Sequence, residues 1–273
     1  MTLPRMVEVA SAIAIAGFSC LTAVFVLSAQ DRANTLDVYS PEKLRYEMTW
    51  WVFGAGEITL SLNVAVGPAD SRAFQMTYLV KSSGLAGRFF KVDDRIDSYV
   101  DPLTRCSVAV EKRLREGKTV QDSRVEFDYG AGKALITNFA AGTAGSGRVP
   151  VDRSERPIGD CVQDILSALY AIRSHDPLPA GSSFKVWTFD RGDLYEMAVS
   201  VLKRETVTIG LGRFSAFVVE PQPRFGGSFG KSGKLRIWIE DGPARLPLII
   251  KTDLAVGSLK AELREMTRAP RSR

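Results

Sequence analysis

The sequence predicts a mainly β protein: a large curled antiparallel sheet, an open or half barrel, with one helix packed on its concave face. A β-sandwich is the alternative. Three observations carry this. Apolar and polar residues alternate over many short segments, such as Ile58, Leu60, Leu62, Val64 and Val66, and a period of two marks a half-buried strand. Turn-forming residues, such as Gly54-Ala55-Gly56 and Gly67-Pro68, separate these segments at spacings too short for crossover helices. One segment alone, near residues 160–173, carries a convincing helical period.

The chain opens on an uncharged run from Val9 to Ala29, preceded by Arg5 and Glu8 and followed by Asp31 and Arg32. At about 1.5 Å per residue such a run is long enough to cross a bilayer core of roughly 30 Å. Residues 1–30 therefore read as a signal peptide or as an N-terminal membrane anchor. Ser28 and Ala29 suit a cleavage site, whereas Leu27 at the −3 position does not. Both readings export the rest of the chain, to the periplasm in a bacterium.

A single β-rich domain is expected over residues 40–265. Its strands are read at about 44–51, 58–66, 74–80, 96–100, 107–115, 120–129 and 133–138. After them, residues 140–157 begin Gly- and Ala-rich and turn polar, which predicts a flexible loop. The helix follows: Asp160 with Gln163 makes a capping-box pattern, and Val162, Ile165, Leu166, Leu169 and Ile172 form its apolar stripe. Further strands are read at about 184–190, 195–201, 205–211, 214–220, 235–239, 246–251 and 257–263. Residues 266–273 read as a disordered tail. A sheet of some dozen strands must curl to hide one apolar face and to protect its edges.

The 273 residues are 45% apolar and 25% charged, with a formal net charge of +5. That composition excludes a disordered chain and a disulfide-dense mini-scaffold. One His and three Cys leave little for a metal or haem centre, so no cofactor is expected. Basic residues are interleaved with acids, as in Glu111-Lys112-Arg113-Leu114-Arg115-Glu116. This argues against a nucleic-acid partner and leaves only a mild attraction to an anionic membrane surface. Cys106 and Cys161 remain beyond the leader. In an oxidising compartment they form a candidate disulfide; two separate buried thiols are the other reading.

The catalytic motifs considered do not hold. Gly226-Gly227-Ser228-Phe229-Gly230-Lys231-Ser232 resembles a phosphate loop, but Phe225 stands where its first Gly belongs and a strand follows. His175, beside Asp176, has no nucleophile setting near it in sequence and reads as a helix C-terminal group. Asp93, Asp94, Asp97 and Asp101 lack calcium-loop spacing, and Lys91 and Arg95 offer local partners. No enzymatic activity is expected. Apolar residues in loops carry more interest. Leu85, Phe89 and Phe90 follow a Gly-rich turn, and Phe225 and Phe229 lie in a later one. They are candidates for an apolar ligand site or a barrel rim, or for a plug folded into the core.

The segment Asp164-Ile165-Leu166-Ser167-Ala168-Leu169-Tyr170-Ala171-Ile172-Arg173 resembles the bacterial domain-of-unknown-function family 3108. So do Gly233–Asp241 followed by Arg245-Leu246-Pro247, and Val256–Leu263. Asp101–Thr104 and Phe127-Asp128 are weaker matches. The resemblance covers roughly residues 44–265. It implies an exported, mostly β envelope protein and brings no catalytic residues. A looser architectural similarity is to half-barrel periplasmic carriers of lipoproteins. The functional expectation is a non-enzymatic periplasmic protein holding a lipid or other apolar ligand in its curved sheet. An envelope scaffold with a protein partner and a hydrolase of envelope polymers are the alternatives.

Overall fold

A computed structural model describes residues 36–89, 91–140, 148–223, 234–253 and 257–269. The expected leader lies outside the described residues. Leu36–Arg273 forms one compact unit, which holds the whole sheet and its cores.

Among the described residues fourteen strands build one antiparallel sheet. The first eight are β1 (Glu42–Trp50), β2 (Phe53–Val66), β3 (Arg72–Ser82), β4 (Asp93–Val100), β5 (Ser107–Glu116), β6 (Thr119–Asp128), β7 (Lys133–Phe139) and β8 (Pro150–Pro157). The rest are β9 (Ser183–Asp190), β10 (Asp193–Ile209), β11 (Gly212–Pro221), β12 (Leu235–Glu240), β13 (Pro247–Asp253) and β14 (Ser258–Arg268). Among the described residues two α-helices interrupt them, α1 (Gly84–Phe89) and α2 (Ile165–Ser174). Each strand pairs with its neighbour in sequence except at one seam, where β1 pairs with β14; β8 and β9 are the edges.

The sheet curls without closing. β9 returns against β5–β7 through side chains: Lys112 pairs with Asp190, and the rings of Phe127 and Phe189 meet edge to face at 5.5 Å. The short segment before α2 fills the gap. Gln163 bridges Thr188 on β9, and the Val162 carbonyl accepts from the Ser107 amide at 2.9 Å. The two sheet edges thereby lose part of their exposure.

Helix α2 lies on the concave face at the end where β1 begins and β4 finishes. Leu166 and Tyr170 pack with Leu44, Tyr46, Leu60, Leu62 and Met76. Ala168 and Ile172 pack with Val186, Met197, Val199, Val219 and Ile237. The helix thus joins the two halves of the sheet, burying apolar residues against each.

Several sequence expectations are corrected. The helix cap is Asp164, whose side chain accepts from the amides of Leu166 and Ser167, while Asp160 lies before it in the segment that fills the gap between β9 and β5. Residues 150–157 form strand β8, paired with β7. An edge strand exposed on both faces has no apolar alternation, so its sequence reads as loop. Gly54-Ala55-Gly56 belongs to β2, and the turn is Trp51-Val52. Gly56 adopts φ +142° against the backbone of β3, a close approach that only glycine permits. The predicted segments 195–201 and 205–211 are one strand, β10, with a register shift between Val201 and Lys203. β14 continues to Arg268, so the first residues of the expected tail are ordered. α1 forms beside the expected Gly-rich turn, and its six residues are too few for a periodic signal.

Candidate interaction rim

The strand connections alternate between two ends of the sheet. At the helix end, a set of polar groups is buried and paired, although Gln163 Oε1 and Glu240 Oε2 find no partner. Asp164 is fully buried. Its second carboxylate oxygen accepts from Ser98 Oγ at 2.5 Å and Ser107 Oγ at 2.7 Å, so one carboxylate serves helix, β4 and β5 together. Arg173 and Glu42 form a buried pair at 2.6 Å. Tyr170 donates to Glu42 at 3.2 Å, Arg268 approaches its other oxygen at 3.1 Å, and Arg173 also donates to the carbonyls of Arg245 and Ala244. Burial disfavours the Arg173 charge, but the Glu42 carboxylate outweighs it and raises the guanidinium pKa. Burial also drives the Tyr170 and Tyr46 hydroxyls upward. This end is a packed structural floor.

Cys106 and Cys161 form a disulfide with their Cα atoms 5.2 Å apart. It fastens the β4–β5 connection to the segment entering α2. His175 is the C-cap of α2 and stacks on Phe184, centroids 3.7 Å apart. Partial burial lowers its pKa, and it caps the helix as an exposed ring with one face on Phe184.

The other end is the rim, where β1 turns into β2, β3 into α1, and β5 into β6. Trp51, Val52 and Phe53 are consecutive and exposed, at 60%, 85% and 48%. Trp51 carries φ +55°. Glycine is the usual residue at such a first turn position, and a bulky side chain there is an outlier. The Trp51 indole stacks beside Trp50, centroids 6.1 Å apart, and lies over Gly257, where an added methyl would overlap it. The Trp51 amide donates to the Ser258 carbonyl at 3.1 Å. The turn is therefore held in place while its apolar surface faces solvent. β2 and α1 are joined here by the Ser83 amide, which donates to the Ala55 carbonyl at 2.9 Å.

A surface groove of about 410 Å³ opens beside the turn, lined by Arg45, Glu47, Gly54, Gly56, Glu57 and Arg264 among others. Its charges are internally matched: Arg45 pairs with Glu57 and Glu265, and Arg264 with Glu47 and Glu262.

Asp94 lies buried just inside the rim and accepts from the Arg115 amide at 2.6 Å. Burial and the neighbouring Glu116 carboxyl push its pKa from 3.8 up to about 6. The folded protein thus holds this proton more tightly than the unfolded chain does. Its stabilising effect is full below about pH 4 and is lost as pH rises through 6. Asp94→Asn keeps the acceptor and removes the charge. We expect it to raise the unfolding free energy at pH 7 by about 3 kcal/mol, at roughly 1.4 kcal/mol per pKa unit, and to change little at pH 4. Urea unfolding at both pH values checks this; an equal effect at both would refute it.

The other acids are structurally engaged. Asp97 accepts from Thr77 and pairs with Arg95. Asp101 accepts from the amides of Leu103 and Thr104. Asp93 is exposed.

The sequence-predicted rim residues divide. Leu85 and Phe89 fall in α1 at this end, but their side chains lie outside the described residues, as do Phe90, Phe225 and Phe229 altogether. No cluster of His, Cys, Asp and Glu suited to a metal occurs among the described residues. No described helix is long and apolar enough to cross a membrane. Trp51, Val52 and Phe53 were missed because the strand pattern was carried through Trp51 and the turn placed on the glycines. The available signal was four large apolar residues in a row, Trp50 to Phe53, where alternation stops.

The described architecture has a solved counterpart. A crystal structure of a β-barrel-like protein of the domain of unknown function DUF1849, from Brucella abortus, superposes with a TM-score of 0.55 over 87% of this chain and 100% of that one, at 9% identity. At that identity the likeness concerns fold alone. A search of curated proteins gave no match. Residues 45–264 match the family described as Protein of unknown function (DUF3108). With its late motifs and its β architecture in agreement, the chain belongs to that family.

Proposed function

We propose that this is an exported, non-enzymatic interaction protein of the bacterial envelope, with its rim as the working surface. The observation that carries the reading is the turn Trp51-Val52-Phe53. Three large apolar residues face solvent in succession, in a backbone position that a Trp adopts at a cost. Folding does not require them there, since a Gly or Asn turn would close the same hairpin. The uncharged run Val9–Ala29 and the disulfide both favour export to an oxidising compartment.

The filled interior favours this reading over a carrier of an apolar ligand. A carrier needs room on the concave face. Here that face is covered by α2 and by large buried side chains, among them Tyr46, Leu60, Met76, Tyr170 and Ile239. A hydrolase would need carboxylates converging in an open cleft, whereas Asp97 and Asp164 are spent on structural hydrogen bonds.

A photoreactive residue at Val52, expressed in cells, tests the reading. The control is the same residue at Leu103, which is 92% exposed at the helix end. Discrete adducts at position 52 and none at 103 are expected. Equal labelling at both, or none at 52, would overturn the proposal. One equivalent of lipid extracted from the purified protein would favour the carrier instead.

A further inference from the structure

Resting on that reading, we infer that the rim docks on an anionic phospholipid surface, with Trp51, Val52 and Phe53 entering the headgroup layer and Arg88, Lys91 and Lys118 facing its phosphates. The residues share one end of the sheet. β2 contacts α1, which carries Arg88. The Lys91 carbonyl accepts from the Gly117 amide at 2.8 Å, and this brings the Lys118 turn beside it. All three cations are exposed. None forms an ion pair among the described residues, whereas Arg45, Arg264 and Arg124 each bind two carboxylates.

Acids nearby offset this only in part. Glu57 is committed to Arg45, Glu116 is half-buried, and Asp93 is the exposed carboxylate. The shape also selects lipid. A protein hot spot is typically an anchor seated in a pocket, whereas this turn projects outward. Indole rings prefer the headgroup level, and unpaired Lys and Arg add attraction to anionic lipid. Gly257 contributes by holding the Trp51 ring at the outer edge of the turn.

The Leu36–Arg273 unit, which contains the complete sheet and its disulfide, is mixed with vesicles and sedimented. One set is phosphatidylethanolamine with about a third phosphatidylglycerol; the other is phosphatidylcholine. Binding to the anionic set at least about tenfold tighter is expected, weakening as salt rises. Val52→Ser and the triple variant Arg88→Gln/Lys91→Gln/Lys118→Gln should each lose about tenfold, and Leu103→Ser should lose nothing. All substituted side chains are exposed, so matching thermal melts are expected. Protein left in the supernatant with anionic vesicles, or variants binding as wild type does, would overturn the inference. If discrete protein adducts still form at position 52 in that case, the interaction reading stands and the lipid surface is excluded.

Discussion

Replacing Glu42 with Ala is expected to lower the unfolding free energy by about 3–5 kcal/mol, the range seen when one partner of a buried ion pair is removed. Glu42 and Arg173 have no side-chain exposure. Removal of the carboxylate leaves buried Arg173 without its anion beside Arg268, which keeps only Asp37, and leaves Tyr170 without its acceptor. The cost comes from the stranded charges more than from the lost bond. The double variant Glu42→Leu/Arg173→Met should therefore be more stable than Glu42→Ala alone. Urea unfolding followed by intrinsic fluorescence measures both. A loss under about 1 kcal/mol for Glu42→Ala would mean that water or other groups satisfy Arg173, and the packed-floor description would be wrong.

The second large effect concerns the disulfide. Cys106 and Cys161 are 55 residues apart in sequence. A loop of that length gives a chain-entropy contribution of about 4 kcal/mol. The double variant Cys106→Ser/Cys161→Ser should lose about that amount. Wild type treated with a thiol reductant should shift to the same urea midpoint, while the double variant should not respond to reductant. Added to the entropic effect is a local one. The bond sits next to Ser107 and Val162, whose backbone contact and whose link to Asp164 hold the helix N-terminus on β4 and β5. Loss of the bond should therefore also speed hydrogen exchange at the first turn of α2. A wild-type midpoint insensitive to reductant would show that the covalent link contributes nothing to stability.

Much of the fold was legible because period two survives wherever one face is buried. β2, β3, the first half of β10, and β12 were all placed by it, and the wet face supplied the contrast. β8 was illegible for the same reason: it buries neither face, so no alternation exists to read. The helix was placed within a few residues, but its cap was not. Asp160 and Asp164 offer the same local chemistry, and the choice between them was made by Ser98 and Ser107, residues 66 and 57 positions away.

The candidate site was less legible still. Trp51 looked like the end of a strand, because nothing local distinguishes a buried apolar residue from an exposed one. The buried pair of Glu42 and Arg173 spans 131 positions and leaves no local trace at all. The two cysteines were identified as a candidate pair, but their distance could only come from the way β4, β5 and the pre-helix segment converge.

By itself, the sequence determined that this protein is a strand-rich, antiparallel domain with one long helix, that an uncharged run lies near its N-terminus, and that His and Cys are few. These follow from periodicity and composition, which are local quantities. Only the tertiary structure decided that the interior beneath the helix is filled, that Cys106 reaches Cys161, and that Trp51, Val52 and Phe53 face outward. Such outcomes depend on which distant segments meet, and meeting is governed by the shared burial of many side chains.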